Sequence, residues 1–229
     1  MKVAIMQPYL FPYIGYFQLM NAVDKFIIYD DVNYIKQGWI HRNRILLNGK
    51  DFLFTLGVKG AGSFKKINEV EVGNPNDKIL KTIIQAYRKA PFYSEAFPCI
   101  EEILLNNEKN LSKFIIFSLK KIADYLGIKT ILFISSKIEK NNELKAQEKV
   151  IEICKRMKAD IYINAVGGKE LYNKERFLKD NIELKFIQSE LAEYKQFDNE
   201  FVPGLSIIDI MMFNSKDKIQ KLLSRYELV

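Results

Sequence analysis

The punctuation of the first thirty residues constrains this chain more than any other feature. Lys2–Met6 is a short apolar run, the pattern of a strand buried on both faces. Pro8 and Pro12 then exclude regular structure between residues 7 and 12, because each ring fixes the backbone and removes an N–H donor. Residues 14–23 read as a helix. Asp24 precedes a second apolar run, 25–29, which Asp30 and Asp31 close. Strand, loop, helix and strand in about thirty residues is the size of one βαβ unit.

Downstream the pattern changes. Residues 44–47 and 51–56 alternate around Asn48-Gly49, a strong hairpin signal. Residues 57–66 are Gly-rich and basic and read as a mobile loop, and 66–72 alternate again, suggesting a third antiparallel strand. From Asn76 to Gly127 the chain reads as helical, with segments 77–89, 94–105 and 108–126 broken near Pro91 and Asn106-Asn107. Strands at 129–134, 160–163 and 182–187 then alternate with helices at 143–157 and 174–180. Two helices, 205–213 and 216–226, finish the chain. Alternation outside 32–127 indicates a parallel sheet with helices on both faces. The economical organisation is a single α/β domain over 1–229, with a hairpin and helices inserted within about 32–127.

Composition excludes several classes. Hydrophobic residues make up 48% of the 229 residues, enough for a sizeable core and against disorder. The net charge of +7 could serve a phosphate-bearing ligand, a nucleic acid or an anionic membrane face. The excess reads as Lys spread along helices such as 114–123 and 216–225, that is, as solvated surface without a continuous positive face. Two isolated cysteines, Cys99 and Cys154, make no disulfide framework, and with one histidine no cluster has metal-ligand spacing. Cys154 falls in an apolar helix stripe and reads as core. The opening residues lack a cleavage site, and no stretch approaches the roughly 18 apolar residues of a spanning helix. The expected location is the cytoplasm.

Four segments could carry chemistry. In open α/β sheets ligands sit outside the carboxyl ends of the strands. The loop after the first strand therefore offers Gln7, Tyr9, Tyr13 and Tyr16 as polar and stacking groups, and Gly15 for close backbone approach. Asp30 and Asp31 end the second strand, and Trp39, His41, Arg42, Asn43 and Arg44 follow. The arginines suit phosphate or carboxylate, and His41 alone has a reference pKa near neutrality. A surface ion-pair cluster is the bland alternative. Gly167-Gly168 after a later strand could form an anion-binding nest, with Tyr172 nearby, or simply a turn. Ser206 and Asp209 have the spacing of a capping box, with Ser206 as N-cap, and on spacing alone the cap is preferred over catalysis.

These residues resemble a known family. The opening Ala4-Ile5-Met6-Gln7-Pro8-Tyr9-Leu10-Phe11-Pro12-Tyr13-Ile14-Gly15-Tyr16-Phe17 is similar to that of WbqC-like proteins. The similarity continues through Asp24 to Val32 and Trp39 to Ile45. It returns at Gly167-Gly168 with Tyr172, and at Leu205 to Asp209 with Asn214. The resemblance implies a role in bacterial surface-polysaccharide (O-antigen, lipopolysaccharide) synthesis. It implies a transferase that moves an acyl or aminoacyl (glycyl-like) group onto a nucleotide-linked amino sugar. A second resemblance concerns fold. Tyr13-Ile14-Gly15-Tyr16 occupies the place of the signature of nucleotidylyltransferases and class I synthetases, where two histidines stabilise phosphates. A phenol carries no positive charge near pH 7, which counts against adenylyl transfer but not against a related fold. The expected fold is thus a Rossmann-like parallel sheet, with a HUP, nucleotidylyltransferase-like variant as the alternative.

On this reading His41 or Asp31 takes the proton from the attacking amine, and Gln7 belongs to the same catalytic group. Tyr9, Tyr16 and Trp39 stack on sugar or base, and Arg42, Arg44 and Lys59 or Lys66 neutralise phosphate. Backbone donors at Gly167-Gly168 stabilise the oxyanion. No cofactor or metal is expected beyond an activated acyl or aminoacyl donor, for which aminoacyl-tRNA is one source. The alternatives are a nucleotidylyltransferase-like enzyme, or a tRNA or nucleic-acid binding module without catalysis.

Overall fold

A computed structural model describes residues 1–73, 77–198 and 200–229. The expected helical start at Asn76 lies outside the described residues. A six-stranded sheet organises the chain: β1 (Lys2–Met6), β2 (Lys25–Ile28), β7 (Ile131–Ile134), β8 (Ile161–Ala165), β9 (Glu183–Ser189) and β10 (Tyr226–Leu228). Across the sheet the order is β10-β9-β8-β1-β2-β7. Every neighbouring pair is parallel except β9 and β10. Ranked by chain position, these strands follow the 3-2-1-4-5-6 order of the doubly wound Rossmann fold, with the final edge strand reversed. The order turns back between β1 and β8, where folds of this kind open a crevice.

Strand alternation divides the core. Ala4, Phe26 and Ile28 pack on one face with α1 (Ile14–Asn21) and α4 (Leu111–Tyr125). Val3, Ile5 and Ile27 pack on the other with α5 (Ala146–Arg156) and α6 (Lys174–Leu178). Cys154 is fully buried in α5, as its apolar stripe implies, and burial pushes its thiol pKa well up.

The insertion has three parts. A hairpin pairs β3 (Arg42–Leu47) with β4 (Lys50–Thr55). Its turn holds Asn48 at φ 53° and Gly49 at φ 75°, the doubly left-handed turn that matches strand twist. The expected third antiparallel strand does not join it. Instead β6 (Glu71–Val72) pairs with β5 (Val58–Lys59) in a separate ribbon. There a Cβ on Gly73 would stand 2.9 Å from the Gly57 backbone, so only glycine allows the approach. Three helices complete the insertion: α2 (Asp77–Tyr87), α3 (Tyr93–Leu104) and α4, which also serves as the crossover to β7.

The last two helices, α7 (Ile207–Phe213) and α8 (Lys216–Leu223), correct one expectation, since α8 does not reach Tyr226. The Gln18 amide donates to the Leu222 carbonyl (2.8 Å) and the Arg225 carbonyl (2.9 Å), which ends the helix. The following residues become β10, whose ladder satisfies the otherwise open edge of β9. No helix among the described residues is long and apolar enough to cross a membrane.

Candidate functional site

The loop from Gln7 to Tyr13 leaves β1 at the carboxyl edge of the sheet, and the chain clamps it from two sides. Phe11 takes φ 44°, a left-handed conformation costing a bulky residue of order 1–3 kcal/mol. The Phe11 carbonyl accepts from the Asn43 amide (2.8 Å) and from the Ser206 hydroxyl (2.8 Å). Asn43 also donates to the Leu10 carbonyl at 3.2 Å. Backbone bonds from Leu10 to Ile40 and from Ile207 to Pro12 complete the clamp. Buried donors thus offset the strain and hold the loop in one path. Ser206 caps α7 as expected, accepting from the Ile208 N–H at 3.2 Å. Asp209 does not close a capping box. Its buried carboxylate accepts from Tyr87 (2.8 Å), Tyr194 (2.6 Å) and Gln196 (2.7 Å). Burial raises the Asp209 carboxyl above its ordinary range despite these three donors. Asn214, fully buried, donates to the Ile210 carbonyl.

The clamped loop forms one wall of an open cleft of about 280 Å³, lined by Tyr9, Pro12, Tyr13, Trp39, Asn43, Arg44, Leu191 and Gly204. The cleft brings together the proline-rich loop and the arginine-bearing stretch, 30 residues apart in sequence. Trp39 is 40% exposed, and the Arg44 and Arg42 guanidiniums lie 5.1 and 5.6 Å from its ring. This geometry suits cation–π attraction and leaves a planar, cation-flanked surface. Arg44 also pairs with Asp51 at 3.1 Å in an exposed salt bridge, whereas Arg42 donates to the carbonyls of Gly38 and Gln37. Tyr9 lines the cleft, and its phenol, whose pKa burial raises, donates to the Gln7 amide oxygen at 3.4 Å. Tyr16 is not presented for stacking: it lies buried beneath Tyr9 and donates to the Gln7 carbonyl. Gly15 serves Tyr13, whose ring lies where a Cβ would sit, 2.4 Å away.

Asp30 and Asp31 occupy the same edge but opposite faces, as strand alternation requires. Asp30 turns toward α4 and the turn after β7. It accepts from the Ser136 N–H (2.9 Å), the Ser136 hydroxyl (2.7 Å) and Ser112 (3.4 Å). Asp31 turns toward α5 and binds Lys140 (3.0 Å) and Lys149 (3.2 Å), all three side chains buried. Burial alone would raise the Asp31 carboxyl; Ser135 and the two ammoniums outweigh it and hold it below the ordinary range. Lys140 and Lys149 were not legible as site residues. Lys149 falls on the buried side of α5 beside Val150 and Ile153, a weak signal that it has a buried partner.

His41 does not line the cleft. It is buried in the insertion, with Nδ1 2.7 Å from the Tyr34 hydroxyl. Burial and then the Arg42 charge lower its pKa, which keeps the imidazole neutral near pH 7. Lys59 and Lys66 are exposed beyond it. At β8, Gly167-Gly168 does not form the expected nest. Both glycines lie in a 3-10 turn, residues Val166–Leu171, with neither in the left-handed region. Gly168 instead gives clearance, since a Cβ there would meet the Asn164 amide oxygen at 3.1 Å. Asn164 donates to Tyr162 (2.6 Å), and Tyr172 packs edge-on against that ring. Among the described residues no group of three or more His, Cys, Asp or Glu side chains could hold a metal ion.

The model of the WbqC-like protein family matches residues 7–221. The chain is also similar to the uncharacterized protein Rv1507c of Mycobacterium tuberculosis (strain ATCC 25618 / H37Rv). The two are 30% identical over 215 residues, which cover 92% of each chain. No solved structure matches.

Proposed function

The chain belongs to the WbqC-like protein family, and from that premise we propose that it is a transferase of bacterial surface-polysaccharide synthesis. It moves an acyl or aminoacyl group onto the amino group of a nucleotide-linked sugar. One observation carries this reading: a cleft with an aromatic platform and the Arg44 guanidinium beside the carboxyl end of β1. Trp39 and Tyr9 suit a base or sugar ring, and Arg44 suits phosphate. In the reaction the sugar amine attacks the acyl carbonyl carbon, the amine proton passes to a base, and the activated leaving group departs. Asp31, locked as a carboxylate between two lysines, is a poor base, and Gln7 has no titratable proton. His41 is neutral near pH 7 but lies buried against Tyr34 away from the cleft wall, out of reach of an amine bound there, so the proton passes to water or to the departing group.

Nucleotidylyl transfer is the weaker reading, because the Tyr16 hydroxyl is buried on the Gln7 carbonyl and so is not free to meet a phosphate. Mass spectrometry of reactions pairing nucleotide-linked amino sugars with acyl-thioester or aminoacyl-tRNA donors tests the proposal. The expected result is a sugar product heavier by one acyl or aminoacyl group, strongly reduced in Arg44→Ala. Unmodified sugar with every donor, from protein shown to bind the sugar nucleotide, overturns the transferase assignment.

A further inference from the structure

Counting charge by segment corrects the view that it is spread along helices. Residues 32–68 contain Lys36, Arg42, Arg44, Lys50, Lys59, Lys65 and Lys66 against a single acid, Asp51. Six of the seven net positive charges of the chain therefore fall on this part of the insertion. The same segment carries the most exposed large apolar side chain: Phe64 is 98% exposed, and Ile35 is 52% exposed. The backbone brings the two together. Asn33 bridges Lys66 in antiparallel register, and the Tyr34 N–H donates to the Lys65 carbonyl at 2.8 Å. That bridge ties the stretch bearing Ile35 to the turn bearing Phe64. Gly60, at φ 66°, turns the loop so that the Lys65 ammonium lies 3.3 Å from where a Cβ of Gly60 would be. Lys36, Lys59, Lys65 and Lys66 are all exposed around this apolar pair.

A phenylalanine left wholly in water forgoes the favourable free energy of burial, and packing in this fold gives no reason for it. An anionic lipid surface rewards both halves of the patch. Apolar tips enter the headgroup and acyl boundary, while long lysine stems keep ammoniums at the phosphate level. RNA would reward the lysines and one stacked aromatic ring, but it offers nothing to Ile35. We propose that the 33–36 and 59–66 segments form a peripheral docking surface for an anionic phospholipid membrane, with Phe64 and Ile35 as the inserted tips. This inference stands apart from the transfer reaction and does not depend on it.

Co-sedimentation of the full chain with vesicles of phosphatidylcholine alone, and of phosphatidylcholine mixed with phosphatidylglycerol, tests the surface. Binding is expected only to the anionic vesicles, and it should fall as salt is raised. Phe64→Ala should weaken partitioning about tenfold, and Lys36→Glu and Lys65→Glu by at least about fivefold each. Unchanged circular dichroism shows that each variant is folded. Absence of binding to anionic vesicles, or binding indifferent to Phe64→Ala and to both lysine variants, overturns the proposal. So does a tRNA complex that Phe64→Ala weakens while vesicles are not bound, which would assign the patch to nucleic acid.

Discussion

The carboxyl edge of the sheet and the cleft above it use polar residues in opposite ways. At the edge, Asp30 is wrapped by serine donors, Asp31 by two buried lysines, and Asn164 by Tyr162 and its own following N–H. In the cleft, Trp39 is exposed and Arg44 meets two exposed groups, Asp51 and the Trp39 ring. Groups that satisfy one another in the interior hold elements in place, whereas groups left on a rim remain available to a ligand. The parallel sheet thus supplies the footing, and the loop after β1 together with the insertion supplies most of the contact surface.

The sharpest way to break this contrast is at Asp31. Asp31→Ala leaves two buried ammoniums without their carboxylate and should cost about 3–5 kcal/mol in urea unfolding. A loss below about 1 kcal/mol would mean that the triad is solvated and the edge is less rigid than its packing implies. Asn43→Ala comes next. It strips the Leu10 and Phe11 carbonyls of a shared donor and should cost about 2 kcal/mol, with a further loss of ligand affinity as the loop relaxes. Unaltered affinity in a destabilised protein would detach the cleft from its clamp.

The pH response is smaller. The folded-state pKa of His41 lies below its ordinary value, so the unfolded chain binds its proton first as pH falls. Its contribution to stability is complete above about pH 6.5 and is lost as pH drops through the folded pKa. His41→Gln should flatten that part of the stability profile, and an identical slope in the variant would show that the ring is freely protonated in the fold. The smallest effect belongs to the rim: Asp51→Asn should change stability by no more than about 0.5 kcal/mol, because the Arg44 pair is exposed.

Much of this was legible locally. Prolines fixed the loop after β1, Asn48-Gly49 specified the hairpin turn, and Ser206 marked the start of α7. Each is a short-range signal whose physics lies within a few residues. The features that escaped are long-range. Gln18 ends α8 from across the fold, so Tyr226–Leu228 resembled more helix until the open edge of β9 claimed it. Asp209 looked like a capping residue because its partners Tyr87, Tyr194 and Gln196 come from other elements. The lysines around Asp31 lie more than one hundred residues away. Among the site candidates, Tyr9, Trp39, Asn43 and Arg44 converge on the cleft, while Tyr16 and His41 turn into buried neighbours. Residue type alone gave no hint of that division.

Trp39 is the single tryptophan of the chain, so intrinsic fluorescence reports on the cleft without a label. Titration with a nucleotide-linked amino sugar should change the emission saturably, and the same titration of Trp39→Phe should lose the signal while calorimetry shows weaker binding. An emission spectrum unmoved by a sugar nucleotide that calorimetry shows to be bound would place the ligand elsewhere and contradict the account.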